Sequence, residues 1–185
     1  MKALGAPLFT EWIPASRRRR LHNADIALKD QDGRDRTLAD LLDQPALITF
    51  FYSRCQNAEK CSIAMSQLAL LQRQLKQIGI EKRVRLIAIT YEPQFDTPER
   101  MNRFATDRGL RLGEHALTIQ LDGKRHQQFV DEMLAPVNYN SGWVNTHGVE
   151  LSLVDARGQL VRKYTTLLWR NEQVVKDLKR VMAEP

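Results

Sequence analysis

Two strand-length apolar runs limit the architecture of this chain more than any other feature. They are Ala46-Leu-Ile-Thr-Phe-Phe-Tyr52 and Val84-Arg-Leu-Ile-Ala-Ile-Thr90. A strand with one face in water alternates apolar and polar residues, whereas a strand covered on both faces does not need to. Both runs therefore read as buried central strands, with layers of structure above and below. The stretch between them, Ser62 to Ile78, supplies one such layer. Ile63, Leu68, Leu71, Leu75 and Ile78 fall close to one face of a helix, and Gly79 stands at its C-cap position.

The flanking elements continue the alternation. Ile26 to Lys29 is a short strand ended by an Asp32-Gly33 turn. Thr37 to Leu42 is either a strand end or one helical turn that Thr37 caps. Thr97 and Pro98 open a helix as N-cap and first residue, and Gly109 ends it. Ala116 to Leu121 is a strand. Gly123 to Leu134 is a helix that Pro136 stops. Leu151–Val154 and Gln159–Tyr164 flank Asp155-Ala-Arg-Gly158 as an antiparallel hairpin. Asn171 to Ala183 is a closing amphipathic helix, with Val174, Val175, Leu178, Val181 and Met182 inward.

This order is the plan of an α/β, thioredoxin-like domain of the peroxiredoxin type, with an inserted strand and helix. Its central mixed sheet is flanked by helices. Residues 23–185 read as that single domain and residues 1–22 as an N-terminal arm. Trp12, Ile13 and Pro14 pin the arm to the body. The run Arg17 to Arg20 is either a solvated basic stretch or a docking element for an acidic partner or phospholipid.

A chain of 185 residues is long enough to bury roughly 70% of the surface its unfolded form exposes. The net charge of +6 favours acidic partners or anionic surfaces. Nucleic acid is not expected, because the aromatics are not interleaved with the basic residues as a base-stacking platform requires. No apolar run approaches the ~20 residues of a transmembrane helix. Met1 to Thr10 begins like a signal peptide, but its apolar run stops at Glu11. The expected location is thus cytoplasmic if the chain is complete, and periplasmic or membrane-anchored if a leader or anchor has been removed.

The only two cysteines, Cys55 and Cys61, sit where the first buried strand gives way to its helix. Two are too few for a disulfide scaffold. A strand end leading into a helix is where α/β folds present reactive groups, and a helix N-terminus favours thiolate. The pair is a redox couple, a soft-metal clamp, or both. Arg54 and Lys60 flank it and are expected to lower a thiol pKa. As a redox couple, the more exposed Cys55 attacks and Cys61 resolves the mixed disulfide. In a thioredoxin-like sheet the loop entering the first hairpin strand faces the cysteine loop, which brings His147 of Thr146-His-Gly148 close to both thiols. Two thiolates and an imidazole form a soft three-ligand set suited to copper and usable by zinc. His22, His115 and His126 read as surface residues, and Met65 as core filler rather than a thioether ligand. Glu92 and Asp96 structure their loop or act as acid/base groups. Trp143 walls the groove or packs.

The chain resembles the Sco/SenC family in three stretches. They are Phe50-Phe-Tyr-Ser-Arg-Cys55 with the second cysteine following, Leu86 through Glu99, and Trp143-Val-Asn-Thr-His147 leading into Leu151 through Gly158. The family pattern covers about residues 24–183. The resemblance implies a thioredoxin-like copper protein of cytochrome c oxidase assembly. It puts Cys55, Cys61 and His147 on the family's ligands for Cu(I) or Cu(II). The implied partner is a protein that receives copper or electrons, a cytochrome c oxidase subunit or similar. Three features depart from the family pattern. Five residues rather than three separate the cysteines, Gln56 and Ser62 stand where prolines are common, and Glu92 replaces an aspartate. The two extra residues are expected to open a tight turn into a small loop, which still permits the ~4.4–6.8 Å Cα separation of a disulfide. The alternatives are a metal-free thiol-disulfide oxidoreductase with Cys55 and Cys61 as its catalytic pair and, more weakly, a thiol peroxidase. The proline and threonine that precede a peroxidatic cysteine are missing around Ser53-Arg54-Cys55.

Overall fold

The computed structural model of the chain describes residues 11–21, 25–165 and 168–184. In chain order the strands and helices are β1 (Ala27–Asp30), β2 (Asp35–Thr37), β3 (Ala46–Phe51), α1 (Ile63–Gln77), β4 (Arg85–Thr90), α2 (Pro98–Thr106), β5 (Ala116–Leu121), α3 (Gly123–Glu132), β6 (Val137–Asn140), β7 (Trp143–His147), β8 (Leu151–Val154), β9 (Leu160–Tyr164) and α4 (Asn171–Met182). The two apolar runs lie side by side as β3 and β4, parallel, with Ala46 opposite Arg85 and Phe51 opposite Thr90. Every residue of both strands is buried. Seven strands form one mixed sheet in the order β2-β1-β5-β4-β3-β8-β9. The centre, β5-β4-β3, is parallel. The outer pairs are antiparallel.

The pleat sends alternate residues to two cores. Leu47 and Phe51 of β3, with Leu86 and Ala88 of β4, face Met65, Leu68, Leu71 and Leu75 of α1, Met101 and Phe104 of α2, and Val174 and Leu178 of α4. Ile48 and Phe50, with Ile87 and Ile89, face Phe129 and Val130 of α3 and the short 3-10 helix Ala39–Leu41. Met65 is core filler, as expected. Thr97 caps α2, its side chain accepting from the Arg100 amide with Pro98 at the first position.

Some local expectations are corrected. Ile78 is 40% exposed, and Ala64 and Ala69 take the inner face of α1 instead. Helix α3 stops at Glu132, ahead of the left-handed Leu134 at φ 50°. The stretch after Pro136 forms an unexpected two-stranded hairpin, β6–β7, separate from the main sheet.

Residues 13–21 of the arm lie along β9 and the turn before it. The Ile13 amide donates to Val161 O at 2.9 Å, the Leu21 amide donates to Gly158 O at 2.9 Å, and Arg20 bridges Gln159. The arginine run is not uniformly solvated. Arg18 is buried, with bonds to Asp155 at 3.2 Å and to Glu184 at 2.8 Å, and Trp12 lies between the guanidiniums of Arg18 and Arg180. Residues 1–10 and His22 lie outside the described residues. No helix among the described residues is long and apolar enough to cross a membrane.

His115 is half-buried against Gln44, at 3.3 Å. His126, expected on the surface, is buried, with Nε2 3.4 Å from the Tyr139 hydroxyl. Burial pushes its pKa down to about 4. An unfolded histidine titrates near ~6.5, so between those values the unfolded chain takes a proton that the folded chain refuses. Stability should therefore be lost as pH falls through this window, by about 3 kcal/mol from this residue. Urea unfolding of a His126→Gln variant should show a correspondingly flatter pH dependence over the same interval.

Candidate metal centre

The site forms at the carboxyl ends of the parallel strands, where open α/β sheets bind ligands. Strand β3 runs out into a loop that carries Cys55. A π turn, Ala58–Ser62, then carries Cys61 into α1. A π turn holds more residues per turn than an α turn and recurs at functional sites. It takes up the five-residue spacing, so the second cysteine rides on a widened helical turn. His147 arrives as the last residue of β7, 86 positions beyond Cys61.

The structure brings all three candidate ligands together. His147 Nε2 lies 3.5 Å from Cys55 Sγ and 3.6 Å from Cys61 Sγ, and the three donor atoms fall within 4.8 Å of one another. A metal about 2.3 Å from sulfur and about 2.0–2.1 Å from nitrogen sets those atoms roughly 3.6–3.8 Å apart, so the donor set fits a soft cation. Both thiols are free; Cys55 is half-buried and Cys61 buried.

The imidazole is fixed for this task. Its Nδ1 lies 2.7 Å from Gly148 O. A carbonyl only accepts, so Nδ1 carries the proton and the Nε2 lone pair faces the sulfurs. The Lys60 ammonium donates to His147 O at 2.8 Å. Tyr52 meets the ring edge-on at 5.3 Å, and Tyr91 packs at 5.7 Å. Gly148 permits the close turn beyond: its amide donates to Pro136 O at 2.6 Å, and an added Cβ would lie 2.6 Å from the Pro136 ring.

The two thiols are driven apart. The hydrogen bond from Cys61 lowers the Cys55 pKa, helped by Tyr52 against the cost of burial. The same bond and burial raise that of Cys61. Arg54 and Lys60 were expected to do this work, but both are turned elsewhere. Arg54 Nε and Nη2 donate to Glu92 at 2.6 and 3.0 Å, while its guanidinium lies 3.7 Å from the centre of the Trp143 ring. Lys60 serves the His147 carbonyl. The cation that senses both sulfurs is Arg108, held by Ser62 Oγ at 3.0 Å.

Glu92 and Asp96 are structural. Buried Glu92 accepts from Arg54 and from the Val144 amide at 2.9 Å, tying the cysteine loop to the hairpin that carries His147. Asp96 accepts from the Ser53 amide at 3.2 Å and from the hydroxyls of Ser53 and Thr90, and burial raises its pKa. Trp143 neither lines the cleft at the site nor packs inward; it is exposed, against Arg54 and edge-on to Phe95. A cleft of about 460 Å³ opens beside the centre, lined by Tyr52, Arg54, Lys60, Glu92, Val144 and His147. Tyr52, Tyr91 and Arg108 were missed from sequence. The two tyrosines look like ends of apolar strands, and Arg108 is one of many arginines on a solvated helix end.

The family model SCO1/SenC matches residues 14–183. The chain is 27% identical over 170 residues to Protein SCO2 homolog, mitochondrial, of Homo sapiens. That match covers 91% of this chain and 63% of the relative, so the chain spans less than two thirds of the relative's length. A SCO1/SenC family lipoprotein from Bacillus anthracis str. Ames superposes with a TM-score of 0.75 at 22% identity, over 89% of this chain and 98% of that one. Yeast Sco1 with copper bound superposes with a TM-score of 0.66 at 21% identity, over 86% and 88%. These two likenesses establish a shared thioredoxin-like fold.

Proposed function

We propose, since this chain belongs to the SCO1/SenC family, that it binds copper through Cys55, Cys61 and His147 and passes it to a protein partner. One observation carries this reading: three soft donors from two distant segments converge within 4.8 Å, with the imidazole nitrogen already facing both sulfurs. Yeast Sco1, a protein of the same fold, has been solved with copper bound, which lends support. By family, the recipient is a cytochrome c oxidase subunit or a similar assembly partner.

The geometry supports the following scheme for holding and releasing copper. Both thiols give up protons on binding, so affinity rises with pH. Cys61 is buried and anchored in the π turn. Cys55, half-buried, is the more exposed of the two and is the ligand that an incoming donor reaches first. His147 is held by Gly148, Lys60 and Tyr52, and stays in place during exchange. Copper is cargo in this scheme. Anaerobic Cu(I) titration of the reduced protein against a competing chelator tests it. One equivalent should bind, and a Cys55→Ser/Cys61→Ser variant should bind none. If wild type binds no tighter than that variant, the reading fails.

The asymmetry of the thiols favours a second reading, a thiol-disulfide oxidoreductase. The Cys55 thiolate attacks a partner disulfide and expels one partner thiolate. Cys61 then displaces the other, leaving the partner reduced by two electrons and this chain with a Cys55–Cys61 disulfide. This reading requires turnover of a model disulfide that depends on both cysteines; stoichiometric reaction without turnover sinks it.

A further inference from the structure

Beside Cys55, rings and guanidiniums alternate across the surface. Trp143, Arg54, Phe95 and Arg100 follow one another. The Arg54 guanidinium lies 3.7 Å from the Trp143 ring centre and 4.6 Å from that of Phe95, and the Arg100 guanidinium lies 4.3 Å beyond Phe95. Trp143 is 45% exposed on the β6–β7 hairpin. Next to this stack a groove of about 610 Å³ runs between the cysteine loop and α2, with Arg100, Arg103 and Arg108 among its lining. Glu99 and Asp107 also border it. Arg54 is neutralised by Glu92. Among the described residues no carboxylate is bonded to Arg100, Arg103 or Arg108.

This composition is that of a binding hot spot. Exposed tryptophan and arginine dominate interface energetics, and a stacked guanidinium has already lost much of the rotamer freedom that binding would remove. Held flat, with Nη1 donating to Phe95 O at 2.6 Å, the Arg100 guanidinium keeps its remaining N–H groups for a carboxylate. A membrane surface attracts unbroken clusters of Lys and Arg, whereas this groove interleaves its arginines with Glu99 and Asp107, a pattern suited to discrete carboxylates. We propose that this face docks an acidic segment of the protein that exchanges copper with Cys55, a partner with several carboxylates beside its own metal donors. The proposal rests on the copper-transfer reading above for what the docking achieves, while the surface itself can be tested without metal.

The probes are two fluorescein-labelled peptides with a Cys-x-x-Cys core, one flanked by glutamates and one by lysines. Anisotropy with the metal-free protein at low salt should show the glutamate peptide binding at least about tenfold tighter, a preference that added salt screens away. An Arg100→Glu/Arg103→Glu variant should abolish or invert the preference. The single exposed change Arg103→Glu should weaken it, and a Trp143→Ala variant should weaken binding of the glutamate peptide. Cu(I) affinity of the charge-reversed variant should match wild type, which separates this proposal from the metal reading. Equal affinity for the two peptides overturns the proposal, as does a preference indifferent to charge reversal. It is also overturned if the arginines instead govern sedimentation with phosphatidylglycerol vesicles while the peptides show no preference.

Discussion

A His147→Ala variant should bind Cu(I) about a hundredfold more weakly than wild type, or worse, in anaerobic chelator competition. Disturbing a residue that merely orients a metal ligand typically costs about 10–100-fold in affinity, and His147 is proposed as a ligand itself. Its Nε2 stands 3.5 and 3.6 Å from the two sulfurs. The thiols should remain competent toward a disulfide reagent in this variant, so a selective loss of metal affinity separates ligand from scaffold. A change of less than about threefold would remove the imidazole from the coordination set, on a scale where each tenfold is about 1.4 kcal/mol.

Replacing Lys163 with methionine should destabilise the fold by about 3–5 kcal/mol, the usual cost of breaking a buried ion pair by removing one partner. Lys163 Nζ lies 2.7 Å from Glu150, and both side chains are almost fully buried. The ammonium also donates to Met133 O at 2.6 Å and Leu134 O at 3.0 Å. Without it the Glu150 carboxylate is left unpaired in the interior. Burial already raises the Glu150 pKa while Lys163 opposes the rise. Removing Lys163 raises it further, so the penalty should be full at neutral pH. It should shrink as pH falls toward ~4.3, where the unfolded carboxylate protonates too. Urea unfolding at both ends of that range reads the effect. The consequence reaches the metal centre, because Glu150 follows His147 by three positions and the chain beyond Leu134 holds Pro136, on which Gly148 sits.

The central sheet was legible because β3 and β4 announce burial on both faces, and the Gly79 and Thr97-Pro98 signals punctuate their helices. His147 was legible only through topology: nothing near it in sequence marks a ligand, but the fold plan turns its loop toward the cysteines. The β6–β7 hairpin escaped notice although its turn is written in Ser141-Gly142. Both residues are left-handed, at φ 51° and 82°, as a two-residue hairpin turn of the I′ type requires. Its strands are short and mostly exposed, so their pattern is faint. The π turn at Cys61 was not legible, since hydrogen bonds of the i→i+5 kind are selected by packing rather than by local preference. Arg18 and His126 were misread for a related reason. A basic run looks solvated until Asp155 and Glu184, 137 and 166 positions away, fold over it.

The strap formed by residues 13–21 also covers part of the sheet edge along β9. Strand β9 ends the sheet, and a bare terminal strand is a template on which another molecule can add its own backbone. Here the chain supplies that extra backbone itself, and the Arg18–Glu184 clasp keeps it in place. A cut that removed Glu184, two residues past the end of α4, would take away one of the two carboxylates that hold Arg18 and leave the edge of β9 more open to such pairing.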